Sequence, residues 1–492
     1  MQTKKVIVIG SGFAGLSAAS FMAKAGWSVT LLEKHSIPGG RARQLTEEGF
    51  TFDMGPSWYW MPDVFERYFA QFGKKVSDYY TLKRLDPSYR IYWDQGHTDL
   101  PADYGQFRAL LESMEPGAGE SLDRFMTEAE YKYNVGINKL VYKPGQSILE
   151  FADLDLIRGV FRLDVFQSIK KHIARHFKDP KIRQMMEFPV LFLGALPENT
   201  PALYSLMNYA DIKLGTWYPE GGMYSVVKAM HTLAEELGVN FRFNTEVARI
   251  EVDGASVKKV VTTSGEELEA DVVIGGADYH HIETKLLPAS HRSYSEAWWD
   301  KKVMAPGSLL YYVGLNRKLQ NVPHHALFFD VPFASHARDI YVHEQWPTEP
   351  LFYLSVSSQT DPQAAPEGGE ALVFLIPTAA GLEGDTEELR KKYLDIILER
   401  FANLTGEDIR ENIVYCRTYA HRDFVTDYGA YKGNAYGLAN TLLQTAILKP
   451  SCRSKKVRNL FYTGQLTVPG PGVPPSLISG EVVAGQVVQH FG

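Results

Sequence analysis

Four consecutive apolar residues, Val6 to Ile9, open the first regular pattern of the chain. A run without polar alternation predicts a parallel strand buried on both faces. A glycine-rich turn follows, and then Leu16, Ala19, Phe21 and Ala23 give a helix a mainly apolar face of small residues. Gly26 predicts the helix stop, and Val29 to Leu32 predict a second strand. From about residue 60 to 215 the pattern turns helical and aromatic, broken by Pro87, Pro101, Pro144 and Pro180. Alternation returns in 241–250 and 256–263, and 271–276 predicts a further apolar strand. Residues 305–440 mix short strands with helix, and the stretch from Asn459 onward carries a strand, a Gly/Pro-rich loop and a last helix.

One segment, 156–183, has a separate signature. Phe166, Ile169, Ile173 and Phe177 fall on one helical face, and Lys170, Lys171, Arg175, Lys178, Lys181 and Arg183 surround it. This pattern predicts either a helix lying in a membrane interface or the surface helix of a globular domain.

Composition narrows the class of protein. A chain of 492 residues predicts two or three packed units. With 45% hydrophobic and 22% charged residues, it is ordinary globular material rather than a disordered chain. A formal net charge of −7 argues against a nucleic-acid partner, which calls for a basic footprint. Only Cys416 and Cys452 are present, which excludes a disulfide framework or a CxxC redox pair. No apolar stretch is long enough to predict a membrane span. Lys4 and Lys5 before an apolar run imitate a secretory signal, but Gly10, Gly12 and Gly15 interrupt it at phosphate-loop spacing. His172 and His176 stand four apart, yet no HExxH accompanies them and their neighbours are basic, so no metal is expected.

The chemistry gathers at the first turn. Gly10-Ser11-Gly12-Phe13-Ala14-Gly15 follows a buried strand and opens a helix, and Glu33 ends the next strand. Glycine permits the sharp turn, brings backbone near a pyrophosphate and allows close helix–strand packing. The helix N-terminus offers N–H groups to the phosphates, and Glu33 can accept hydrogen bonds from a ribose. A 2′-phosphate there would be repelled. Six residues on, Gly39-Gly40-Arg41 pairs a pliable backbone with an anion donor, an element that a plain NAD dehydrogenase does not need.

These motifs, with Phe52-Asp53-Met54-Gly55-Pro56, resemble the flavin amine oxidase and carotenoid desaturase superfamily. Trp217-Tyr218-Pro219-Glu220-Gly221-Gly222 and the loop Pro469-Gly470-Pro471-Gly472-Val473-Pro474 are similar to the bacterial-type phytoene desaturases. The resemblance runs from residue 5 to 488, with its motifs in order. It implies FAD as cofactor, held by Gly10, Gly12, Ala14, Gly15, Glu33, Gly40, Arg41, Gly55, Val247, Gly464, Gln465 and Val473. Val247 falls where the superfamily sets backbone against adenine. Gln465 stands where many members have an acid, so the contact there differs from theirs.

The fold implied is α/β, a Rossmann-like FAD-binding domain of the two-dinucleotide-binding type, with a mixed-sheet substrate domain and a helical, membrane-facing region. Residues 1–75, 216–290 and 450–492 are assigned to the first, 76–115 and 291–449 to the second, and 116–215 to the third. The function implied is desaturation of phytoene, a C40 carotenoid hydrocarbon, to lycopene or a partly desaturated carotene. Oxygen or a quinone would take the electrons, and the enzyme would sit peripherally on the inner, cytoplasmic face of the cell membrane. A later-step desaturase, ketolase or isomerase would share every motif, and a flavin or carotenoid carrier is the non-enzymatic alternative. No catalytic base is assigned: Asp153 reads as well as an N-cap or surface acid.

Overall fold

The computed structural model describes residues 3–147, 150, 167–191 and 196–492. Asp153 and Phe166 lie outside them.

The first strand, Lys5–Ile9, is central in a five-stranded, all-parallel sheet ordered Leu460–Tyr462, Val272–Gly275, Lys5–Ile9, Ser28–Leu32, Asn240–Arg242. Its alternate side chains serve two different cores. Val6 and Val8 pack on one face with the first helix, while Ile7 and Ile9 pack on the other with Val247, Val260 and Tyr279. That double burial is why the run lacks polar alternation. The first helix, Phe13–Lys24, lies between the final helix, Val473–Phe491, and the helix Met223–Glu236.

A second sheet has seven strands, ordered Ile413–Tyr419, Gly307–Leu315, Glu370–Thr378, Phe352–Val356, His325–Phe328, Tyr89–Tyr92, His97–Leu100. Every pairing is antiparallel except His325–Phe328 with Tyr89–Tyr92. All nine residues of Gly307–Leu315 are buried. One of its faces is covered by the helix Glu387–Thr405 through Tyr393, Ile397, Leu398 and Phe401. The other face meets the hairpin at 44–53. A Cβ at Gly314 would stand 2.5 Å from the Phe50 ring, so glycine there lets the hairpin that precedes Gly55 seat on this sheet.

The helical region corrects one expectation. The predicted helix over 156–183 is interrupted, since one helix spans Ile169–His176 and another Pro180–Leu191. Phe177 is extended, and the Asp179 carboxylate accepts hydrogen bonds from Lys181 N at 2.8 Å and Ile182 N at 3.0 Å, starting the second helix with Pro180 in its first turn. The described part of the apolar row is turned inward. Ile169, Ile173 and Phe177 are completely buried, packed in one core with Phe125, Ile182 and Met185, while Lys170, Lys171 and Arg175 point outward. Amphipathicity shows that one face is covered, and here the protein itself covers it. Among the described residues no helix is long and apolar enough to cross a membrane.

Ile173→Ala should therefore lower folding stability by about 2–5 kcal/mol, the cost of a core cavity. Denaturant unfolding followed by circular dichroism measures it; an unchanged midpoint would return this face to the surface.

Candidate active site

The three glycines of the first turn do different work. Gly10 has φ +97°, and a Cβ there would press at 3.1 Å on Ala277 N. A Cβ at Gly15 would stand 1.9 Å from the Gly10 carbonyl oxygen, so this glycine exists for close packing of helix on turn. Gly12 has an ordinary φ of −69° and would place its Cβ in open space, with nothing within 4 Å. No side chain caps the first helix at Gly12. Its first-turn N–H groups, at Ala14 among others, are left for an anion.

Glu33 is buried at the end of the second strand. Its carboxylate accepts hydrogen bonds from Ser11 N at 2.9 Å, Ser11 Oγ at 2.7 Å and His35 N at 2.9 Å. These bonds fix the carboxylate at the cleft wall. Gly40 passes close to the first turn, since a Cβ there would be 3.3 Å from Gly12 Cα. Arg41 follows, and the neighbouring backbone at Gly55 comes so near that a Cβ would meet the Arg41 carbonyl oxygen at 2.3 Å. The guanidinium donates from Nη2 to the Asn434 carbonyl at 3.2 Å, while its Nε is buried without a partner. Burial pulls the Arg41 pKa down, opposed by nearby Asp278.

The C-terminal segment closes the opposite wall. Gly464, at φ +115°, donates its N–H to Ser479 Oγ at 3.0 Å. Gln465 Nε2 donates to Asn434 Oδ1 at 3.0 Å, so Asn434 ties Gln465 and Arg41 together. Val473 begins the final helix, whose N-terminus carries a partial positive charge. Val247 begins the strand that follows Thr245, whose N–H donates to the Glu33 carbonyl at 2.8 Å.

All the expected residues except Gly15 line one cavity. It encloses about 3050 Å³, its solvent-open mouth included. The two ends differ in chemistry. Around Glu33, Arg41 and Asp278 the walls are glycine-rich and charged, whereas the far end is walled by Trp58, Trp60, Phe188, Leu327, Phe329 and Leu351. The polar groups of the far end are neutral. Ser57 Oγ and Tyr353 Oη lie 2.9 Å apart, and Tyr353 Oη lies 2.7 Å from His325 Nδ1. Burial holds His325 well below its usual pKa, hence uncharged. His336 accepts from Leu351 N at Nδ1 and donates from Nε2 to the Pro377 carbonyl, each at 2.8 Å.

Sequence reasoning missed Asn434, Asp278 and Ser11. The available signal for Asp278 was the Gly275-Gly276 pair closing a buried strand, where backbone again approaches the first turn: a Cβ at Gly276 would be 3.2 Å from Gly15 Cα. His172 and His176 do find a third neighbour, Glu128, at 3.4 and 4.0 Å. The Lys132 ammonium, 3.5 Å from His172 Nε2, competes with any cation there.

A parallel-sheet domain with a glycine turn, an acid-ended second strand, a guanidinium with one unpartnered N–H and a C-terminal helix on one cleft defines a dinucleotide flavoprotein. The family model described as flavin containing amine oxidoreductase matches residues 13–488, and the chain belongs to that family. Within it, the chain groups with the carotenoid desaturases. It is 42% identical over 490 residues to the carotenoid 3,4-desaturase of Haloarcula japonica, covering 99% of this chain and 98% of that protein. It is 30% identical over 494 residues to the zeta-carotene-forming phytoene desaturase of Myxococcus xanthus, covering 99% and 94%. Among solved structures, an oxidoreductase from Methanosarcina mazei matches with a TM-score of 0.64 at 14% identity, over 98% of this chain and all of that one. That likeness shows the fold alone. The protein is an FAD-dependent oxidoreductase.

The cavity fits FAD on its own evidence, in the space above Gly12 and the unmet Arg41 Nε. Gly12→Val should therefore keep the fold, because its Cβ meets nothing, while FAD absorbance in the purified protein falls to a small fraction of the parent's. Gly15→Val should instead fail to fold, its Cβ being driven into the Gly10 carbonyl. Equal behaviour of the two variants in unfolding and flavin-content assays would show that the turn is misassigned.

Proposed function

We propose that this protein desaturates a C40 carotenoid with FAD as oxidant. The observation that carries the reading is the uncharged aromatic chamber opening directly from the charged cleft. When bound, FAD accepts hydride equivalents from a carbon centre. The chain supplies the rest. The first-turn N–H groups, Arg41 and Glu33 would hold the phosphates and ribose. Gly55, Gly464, Gln465, Val473 and Val247 line the same cavity and would contact the cofactor. Trp58, Trp60, Phe188 and Phe329 hold an apolar rod and exclude water from the reacting carbons. An apolar polyene gains about 25 cal/mol for each Å² it buries against such walls.

Within that reading, two steps compete. Identity of 42% to a 3,4-desaturase against 30% to a phytoene desaturase favours a late step on an already conjugated carotenoid. The Trp217–Gly222 motif and the 469–474 loop favour phytoene, with lycopene or a partly desaturated carotene as product. Either substrate is insoluble in water, which supports a working position at a membrane surface, with oxygen or a quinone taking the electrons.

Expression in two hosts, one accumulating phytoene and one lycopene, separates these steps. The expected outcome is a new, red-shifted pigment in the lycopene host and unchanged phytoene in the other. Consumption of phytoene would select the earlier step, and unaltered pigment in both hosts would remove the carotenoid reading.

A further inference from the structure

We propose that the protein docks on an anionic bilayer through the surface formed by residues 441–448, Val303 and the lysines beside them. The inference deepens the reading above, from which it takes a water-insoluble substrate; the binding measurement itself involves no substrate.

The exposed large apolar side chains are not scattered evenly. Leu443 is 78% exposed, Val303 50% and Leu448 47%. Val303 and Leu443 belong to one place, because the Gln444 side chain clamps the Val303 backbone, accepting from its N–H at 2.9 Å and donating to its carbonyl at 2.8 Å, and Leu448 stands on the same 441–448 segment. A continuous chain of contacts leads from there to a basic rim. Lys302 Nζ sits 4.1 Å over the Trp298 ring, Trp298 stacks on Tyr294 at 4.0 Å, and Lys455 Nζ sits 4.3 Å over Tyr294. Lys301 and Lys456 are exposed alongside, Lys456 donating to the Ser290 carbonyl at 3.0 Å. The local acids are engaged, Glu296 by His280 and Asp300 by the Tyr431 hydroxyl, each at 2.9 Å. Exposed leucines, a half-buried tryptophan and lysines with stems laid on aromatic rings make up an interfacial surface. Its positive charge stands out on a chain of net −7, and anionic headgroups complement it.

Position gives the surface its use. Segment 441–448 is strung between Asn440 and Lys449, and both brace Gly470, where a Cβ would stand 2.9 Å from Asn440 Oδ1 and 3.2 Å from Lys449 Nζ. The residues that follow, Pro471, Gly472 and Val473, wall the cavity. Docking here sets the lipid beside the loop that bounds the flavin end of the chamber. The helix Ile169–His176 has no such role, its apolar face being core.

The test is co-sedimentation of the full FAD-loaded protein with vesicles of mixed phosphatidylcholine and phosphatidylglycerol, and of phosphatidylcholine alone. The variant Val303→Ser/Leu443→Ser/Leu448→Ser should weaken binding to both kinds of vesicle by about tenfold or more. Lys455→Glu/Lys456→Glu should weaken it only on the anionic vesicles, by at least about fivefold per lysine, an effect that salt erodes. Flavin content and melting temperature should stay at the parent's values, since every changed side chain is exposed. Val414→Ser/Val488→Ser, which removes exposed apolar groups elsewhere, should bind as the parent does. Parent-like sedimentation of the triple variant, or an equal loss in the control, overturns the proposal. So does a parent that is dimeric without vesicles and a triple variant that is monomeric, because the patch then joins two copies of the chain.

Discussion

The site depends on how closely the last helix can approach the first. Gly480 is where they touch: a Cβ there would stand 2.5 Å from Ser17 Cβ and 2.6 Å from both the Ala14 carbonyl oxygen and Ala18 N. Ser17 Oγ also donates to the Leu477 carbonyl at 2.7 Å. Small residues on both helices let backbone meet backbone, and that contact fixes the C-terminal segment against the phosphate turn. The strand Leu460–Tyr462 adds a parallel edge to the same sheet, so Thr463 leaves the sheet level with Gly10 and Gly276, and Gly464 follows it directly. A larger side chain at 480 would push the helices apart and open the cleft between Ala14 and Val473 without touching a ligand-binding group.

Charge in the cavity is kept at one end by the backbone that surrounds it. Glu33 is held by Ser11 and His35, and Arg41 by Asn434, while the chamber beyond Gly55 has aromatic walls and a neutral imidazole. A charge placed among Trp58, Phe188 and Phe329 would lose its hydration with nothing to replace it. This asymmetry suits the charged end to a polar cofactor and the chamber to an apolar ligand. Gly314, by letting Phe50 seat the hairpin on the seven-stranded sheet, sets the register between the two ends.

The first turn was legible because its requirements are local: Gly10, Gly15 and Glu33 each answer to a φ angle, an approach distance or a strand end within one βαβ unit. The seven-stranded sheet was less so. Its strand Tyr89–Tyr92 pairs in parallel with His325–Phe328, more than two hundred positions away, and no local pattern records that partnership. Asn434 escaped notice for the same reason, since only the folded chain sets it between Arg41 and Gln465. The row Ile169, Ile173, Phe177 was read correctly as one face, but periodicity cannot say whether lipid or protein covers it. Phe125, Ile182 and Met185, which do cover it, come from two other helices.

Gln465 shows what a departure from the family pattern does physically. An acid at this position would sit beside Asn434 and partly neutralise Arg41 through the shared bridge. The amide instead donates to Asn434 Oδ1 and adds no charge. Arg41 is then balanced within the cleft chiefly by Asp278, whose own pKa is raised, first by burial, and lowered by Arg41 in return. Asp278 is further committed to the N–H groups of His281 and Tyr431. The guanidinium consequently keeps an unpartnered Nε–H, the kind of donor that an anionic ligand group satisfies. A neutral amide at 465 thus leaves the positive charge of Arg41 less offset than an acid would, without any change in the chamber.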